Sequence, residues 1–97
     1  MPAYVIVQIH IHDPVAYERY KPRAEPSIAQ YGGRYVARGG RAEALEGAWD
    51  PCRVVILEFD SIERAKSWLD SPEYREARSM RHASATTQMI VVEGLPR

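Results

Sequence analysis

Two glycine pairs, Gly32-Gly33 and Gly39-Gly40, enclose the five residues Arg34-Tyr35-Val36-Ala37-Arg38. Five residues are too few for a helix, and their composition is that of a strand whose ends turn where glycine permits φ > 0. Residues two apart on a strand share a face, so Arg34, Val36 and Arg38 are expected on one side and Tyr35 and Ala37 on the other. A face with two guanidinium groups is not ordinary dry core.

The rest of the chain supplies partners for that strand. Tyr4 to His12 alternates strictly, with Val5, Val7, Ile9 and Ile11 on one face and Tyr4, Ile6, Gln8, His10 and His12 on the other. Asp13-Pro14 starts a helix, with Asp as N-cap acceptor and Pro at the first helical position. Pro22 and Pro26 predict a break near Pro22 and a second helical piece to Gln30, stopped by Gly32. Arg53 to Phe59 reads as a strand with Val55, Leu57 and Phe59 on one face and Val54, Ile56 and Glu58 on the other. Ser61 caps a helix carrying Ile62, Ala65, Trp68 and Leu69, and Ser71-Pro72 restarts it through Tyr74, Ala77 and Met80. Thr87 to Val92 is the last strand.

The order is β-α-β-β-α-β, the split pattern of ferredoxin-like α+β folds. The expectation is a single domain over residues 1–97, with a four-stranded antiparallel sheet and both helices on one face. The first and third strands are expected side by side and parallel at its centre. Their odd-numbered faces suit the helices. The even-numbered faces stay open and still carry Tyr4, Ile6, Val36, Val54 and Ile56, a large apolar patch that a second copy of the chain would cover.

The chain resembles the domain of unknown function 1330 family. The residues that carry the resemblance are Tyr31-Gly32-Gly33-Arg34-Tyr35, Arg38-Gly39-Gly40, Leu45-Glu46-Gly47-Ala48-Trp49, Val54 to Phe59, Ser71-Pro72-Glu73-Tyr74-Arg75 and Val92-Glu93-Gly94. It implies a dimeric α+β barrel in which two ferredoxin-like sheets face each other. That superfamily includes cofactor-free monooxygenases, muconolactone-type isomerases and haem-handling enzymes, whose pockets often lie between sheet and helices. The family has no established activity, so the resemblance implies the fold and leaves the chemistry to the residues.

Composition excludes several classes. Lys+Arg and Asp+Glu both number 13, so no surplus of basic charge is available for nucleic acid. No apolar run approaches the ~20 residues of a membrane span, and the first residues lack a signal-peptide pattern. Cys52 is the only cysteine, so no intrachain disulfide forms, and a cytoplasmic protein is expected. The glycine pairs bracket a strand and do not lead from strand into helix, so they form no phosphate or dinucleotide loop, and no cofactor is expected.

The candidate catalytic residues are Glu58 and His10. Both lie late in their strands, where parallel neighbours would bring a carboxylate beside an imidazole and ready it as a base. Antiparallel pairing of the second and third strands at positions summing to about 92 would set Arg34 against Glu58 and Arg38 against Val54. An Arg–Glu network that only orients a dimer interface is the competing reading. The candidate ligand-binding residues are Arg34, Arg38, Trp49 and Arg81, with Arg38 anchoring a carboxylate beside Gly39-Gly40. Arg81 also fits a solvated helix face with Arg75 and Arg78. Tyr17, Tyr20, Trp68 and Tyr74 could line a pocket but are at core spacing. His10 and His12 share a face, yet two ligands make no metal site.

These readings converge on a homodimer that binds a small polar or anionic metabolite, or acts on it by cofactor-free acid–base chemistry. The alternatives are a non-catalytic dimeric module and a monooxygenase- or isomerase-like enzyme.

Overall fold

The computed structural model runs β1 (Ala3–Ile11), α1 (Pro14–Gln30), β2 (Arg34–Arg38), β3 (Arg53–Phe59), α2 (Ile62–Leu69), α3 (Pro72–Ser84) and β4 (Ala85–Glu93). It describes residues 1–50 and 52–97. One sheet takes the order β2-β3-β1-β4, antiparallel at every pairing. Each crossover joins two strands that leave room for a third between them, the split β-α-β arrangement expected from the sequence.

The expected parallel pairing of β1 and β3 is corrected by this register. α1 carries the chain back so that β2 runs in the direction of β1, and the turn into β3 then reverses it. Tyr4 therefore pairs with Glu58, while Ile9 pairs with Arg53. A second correction concerns α1, a single helix despite Pro22 and Pro26. Each proline removes one N–H from the ladder and frees the carbonyl four residues earlier, on Glu18 and Pro22. Glu18, Pro22 and Pro26 are all exposed, on the side of the helix where solvent can take the place of the missing donors, and the helix continues.

The helix starts follow the local chemistry. Asp13 Oδ1 accepts from the Ala16 N–H at 3.1 Å, Ser61 Oγ from the Arg64 N–H at 3.1 Å, and Ser71 Oγ from the Tyr74 N–H at 3.1 Å. Pro14 and Pro72 take the first helical turn, where no N–H is needed.

The helices cover the odd-numbered face. Val5, Val7 and Ile9 of β1 and Val55, Leu57 and Phe59 of β3 pack with Tyr17, Ala24 and Ile28 of α1, Ala65 and Trp68 of α2, and Tyr74 and Ala77 of α3. Trp68 sits at the middle, its ring centroid 4.3 Å from that of Tyr74 and 5.5 Å from that of Phe59, and its Nε1 donates to Ser27 Oγ at 3.1 Å. Gly33 lets β2 start against this core, because a Cβ there would lie 2.5 Å from Phe59 Cε1 and 2.9 Å from Ile28 Cγ2.

The even-numbered face has no cover. Ile56, Ile6 and Ile90 lie in one row across β3, β1 and β4, and Val36, Ile90 and Val92 are exposed. None of the described helices is long and apolar enough to cross a membrane.

Candidate functional site

The site begins with an irregularity in β2. Arg34 stands opposite Glu58 and Tyr35 opposite Leu57, but the register slips between Tyr35 and Ala37, and Arg38 meets Val55 where Val54 was expected. Such a bulge adds one residue to a strand and turns everything after it to the other side of the sheet. The shared face expected for Arg34 and Arg38 is thereby corrected. Arg34 points to the open face, and Arg38 lies on the helix side, stacked 4.2 Å from the Tyr35 ring centroid and 3.4 Å from Glu25 of α1.

Gly39 follows at φ +66°, and a Cβ there would collide with the guanidinium of Arg53. The left-handed backbone favours glycine, and a Cβ would displace the end of the Arg53 side chain from where it now lies. Arg53 reaches over Tyr17, 5.5 Å from its ring centroid.

Between the sheet and the helices lies a cavity of about 30 Å³, lined by Val7, Val55 and Met89, by Tyr17, Tyr20 and Tyr35, and by Lys21, Arg38, Arg53 and Arg81. No acidic side chain lines it. Arg81 is the centre of interest because it is 5% exposed, which corrects the solvated-face reading; Arg75 does face water. Its Nη1 donates to the Tyr74 hydroxyl at 2.9 Å, and its Nη2 donates to His82 Nε2 at 3.1 Å. The latter direction is required, since a guanidinium has donors only. Burial and the charges of Arg81 and Arg78 push His82 below its ordinary value, which keeps the accepting imidazole neutral.

Among the described residues no carboxylate pairs with Arg81 or Arg53, and the Nε of each is buried without a hydrogen-bond partner. A buried guanidinium without an anion is costly unless something else supplies the negative charge. The Tyr74 hydroxyl also meets that of Tyr20 at 2.6 Å. Burial pushes the Tyr20 and Tyr74 hydroxyls up and takes Tyr35 to about 12, so these phenols stay protonated at neutral pH, and the Tyr20–Tyr74 pair spends one of its two protons on its own bond.

Glu58 belongs to a different place. It faces the open side, accepting from Arg34 Nη2 at 2.7 Å and from Arg97, which also donates to the Tyr4 hydroxyl at 3.4 Å. Burial pushes its carboxyl up, but the hydrogen bonds and charges of Arg34 and Arg97 outweigh this and hold it below the ordinary 4.5. A carboxylate so engaged is a poor base. Its folded value lies below its unfolded one, so the stability it contributes is complete above about pH 4.5 and is lost as pH falls through the folded value. Glu58→Gln is therefore expected to flatten the acid limb of a stability–pH curve; an unchanged limb would show that the three charges do not interact in solution.

His10 is not brought to Glu58. Glu58 sits beside Tyr4, and His10 lies six residues further along β1 opposite Thr86, roughly 20 Å away at a strand's rise per residue. His12 is also at the rim, its Nε2 2.8 Å from Thr86 Oγ1. No group of three or more His, Cys, Asp or Glu side chains gathers at metal-binding distance among the described residues. Trp49 lies apart from the cavity in the irregular segment after Gly39-Gly40 and is 52% exposed.

Arg53 and Lys21 were not singled out in the sequence, although Arg53 had a signal. It takes an odd position in β3, on the face that its neighbours Val55, Leu57 and Phe59 give to the core.

Residues 2–95 match the model of a family described as Domain of unknown function (DUF1330). No curated protein matches the chain in sequence. A protein of unknown function from Rhodopseudomonas palustris is similar at TM-score 0.80 and 22% identity, over 99% of this chain and 84% of that one. SnoaB, a cofactor-independent oxygenase from Streptomyces nogalater, is similar at TM-score 0.72 and 15% identity, over 99% and 95%. A dimeric ferredoxin-like protein of unknown function from Jannaschia sp. CCS1 follows at TM-score 0.69 and 14% identity, over 97% and 100%. At these identities the likeness is one of fold.

Proposed function

The chain belongs to the DUF1330 family, and we propose that it works as a homodimer, each protomer holding a small organic carboxylate between sheet and helices. The observation that carries the reading is the buried Arg81, which faces a cavity with four cationic side chains and no acid. A guanidinium fork matches a carboxylate in two parallel hydrogen bonds. With the Tyr74 hydroxyl donating to it, the Tyr20 hydroxyl adds a neutral donor, and Val7, Val55 and Met89 take the carbon skeleton. A cavity of about 30 Å³ has room for an acid group at its closed end, so the body of the ligand lies toward the partly exposed Lys21 and Arg38.

This reading moves the ligand away from Arg34 and Glu58. Those residues, with Arg97, fit the orienting role, because a polar cluster beside the row Ile56–Ile6–Ile90 sets how two apolar sheet faces meet. The acid–base pair of Glu58 and His10 is not proposed, and neither residue lines the cavity. Trp49 is left as a residue that a second protomer would cover.

Two measurements test the reading. Light scattering at micromolar concentration is expected to give about twice the 11.0 kDa of one chain, unchanged in Cys52→Ser; a mass of one chain removes the dimer. Calorimetric titration with monocarboxylates from acetate to benzoate, each against its neutral amide, is expected to show binding of at least one acid and of no amide. Acid and amide bound equally would sink the carboxylate site.

A further inference from the structure

The charges around the cavity are not equivalent. Of its four cations, Lys21 is paired with Glu18 at 2.5 Å and Arg38 with Glu25 at 3.4 Å. Arg53 and Arg81 have no acidic partner among the described residues, and each keeps a buried Nε that donates to nothing. Glu18 lies close enough for its charge to be felt by Arg53, but its carboxylate is bonded to Lys21, so among the described residues neither Arg53 nor Arg81 has a carboxylate at ion-pair distance. The two differ in place. Arg81 comes from α3 and is buried under Tyr74, whereas Arg53 opens β3 and is only partly covered, between Tyr17 and Gly39.

Building on the carboxylate reading above, we infer that the natural ligand is a dianion with two separate acid groups, a small dicarboxylate, one acid group meeting Arg81 and the other Arg53. Two unpaired guanidinium groups on different elements match two acid groups joined by a short carbon chain. A single acid group satisfies one and leaves the other as it is. The aliphatic wall of Val7, Val55 and Met89 suits the connecting carbons. Gly39 acts as the positioning residue for the second group, because the guanidinium of Arg53 occupies the space that a Cβ would take. No bond is made or broken in this step; the inference concerns recognition alone.

Calorimetric titrations of the full chain at low ionic strength with malonate, succinate and glutarate provide the test, with succinamate, propionate and inorganic phosphate as comparisons. One dicarboxylate is expected to bind at least tenfold more tightly than both succinamate and propionate. In Arg53→Gln that dicarboxylate is expected to fall at least tenfold, while propionate changes less than threefold. Gly39→Ala is expected to reduce the same preference through the displaced Arg53 guanidinium, with circular dichroism verifying that the variant is folded. Dicarboxylates binding no better than succinamate would overturn the inference and leave the monocarboxylate site standing. Phosphate binding as tightly as the best dicarboxylate would also overturn it, since one doubly charged group would then suffice. Failure of every acid to bind would remove both readings together.

Discussion

Arg81→Met is expected to be as stable as the parent or more so, and unable to hold a carboxylate. Methionine has similar reach and packs in irregular apolar space, so it fills the room left between Tyr74 and the cavity. The substitution gives up the hydrogen bonds to the Tyr74 hydroxyl and to His82 Nε2, together a net ~1–3 kcal/mol, but Tyr74 keeps its bond to Tyr20. Against that loss stands the cost of a buried guanidinium with no carboxylate, several kcal/mol for an uncompensated ion. The balance predicts a gain of about 1 kcal/mol, roughly 4–8 °C in melting temperature for a domain of this size. Binding of any acid that the parent holds should fall by more than tenfold. Thermal unfolding and calorimetry on the same preparation decide the matter. A loss of ~3–5 kcal/mol would mean that Arg81 is a member of a satisfied structural network. A charge retained at the expense of stability is the signature of a binding residue.

The opposite result is expected at Trp68. Trp68→Ala removes the ring that joins α2 to α3 and β3, takes from Phe59 and Tyr74 the ring stacked between them, and leaves the Ser27 hydroxyl with only its bond to the Ala24 carbonyl. Large-to-small changes of this kind cost ~3–5 kcal/mol. Domains of this size have ~5–15 kcal/mol in total, so the variant should be close to unfolding at room temperature. Trp68→Phe keeps most of the packing and is expected to lose less, chiefly the hydrogen bond to Ser27 and the volume of the second ring. Denaturant midpoints for the two variants give the comparison. Equal midpoints would mean that ring stacking contributes little and that the Ser27 hydrogen bond dominates.

These two expectations come from residues of different legibility. Trp68 stands at helical spacing with Ala65 and Leu69, and its place in the core follows from that period. Arg81 lies four residues after Ala77 and seven after Tyr74, on the same buried stripe. Read by period alone it belongs inside; read by charge it belongs in water with Arg75 and Arg78. The period was the better guide here because α3 packs against α1, and Tyr74 offers the guanidinium an oxygen within reach.

Much of the architecture was written in local patterns. The alternation in β1 and β3, the caps at Asp13, Ser61 and Ser71, and the glycine pairs around β2 determined four strands, their order and the face given to the helices. These features are local because side-chain period and capping depend on a few adjacent residues. The pairing of Arg34 with Glu58 also followed from the sequence.

What the tertiary structure alone decided is direction, register and charge balance. Strand order by itself left the sense of β1 against β3 to be misread, and with it the meeting of His10 and Glu58. One extra residue in β2 carried Arg38 from the open face to the cavity, because a strand's faces alternate with period two and a single insertion exchanges them. Continuity of α1 through two prolines depended on which side of the helix met water. The unpaired state of Arg53 and Arg81 exists only once every carboxylate has its place in space, since an ion pair depends on distances between atoms far apart in the chain.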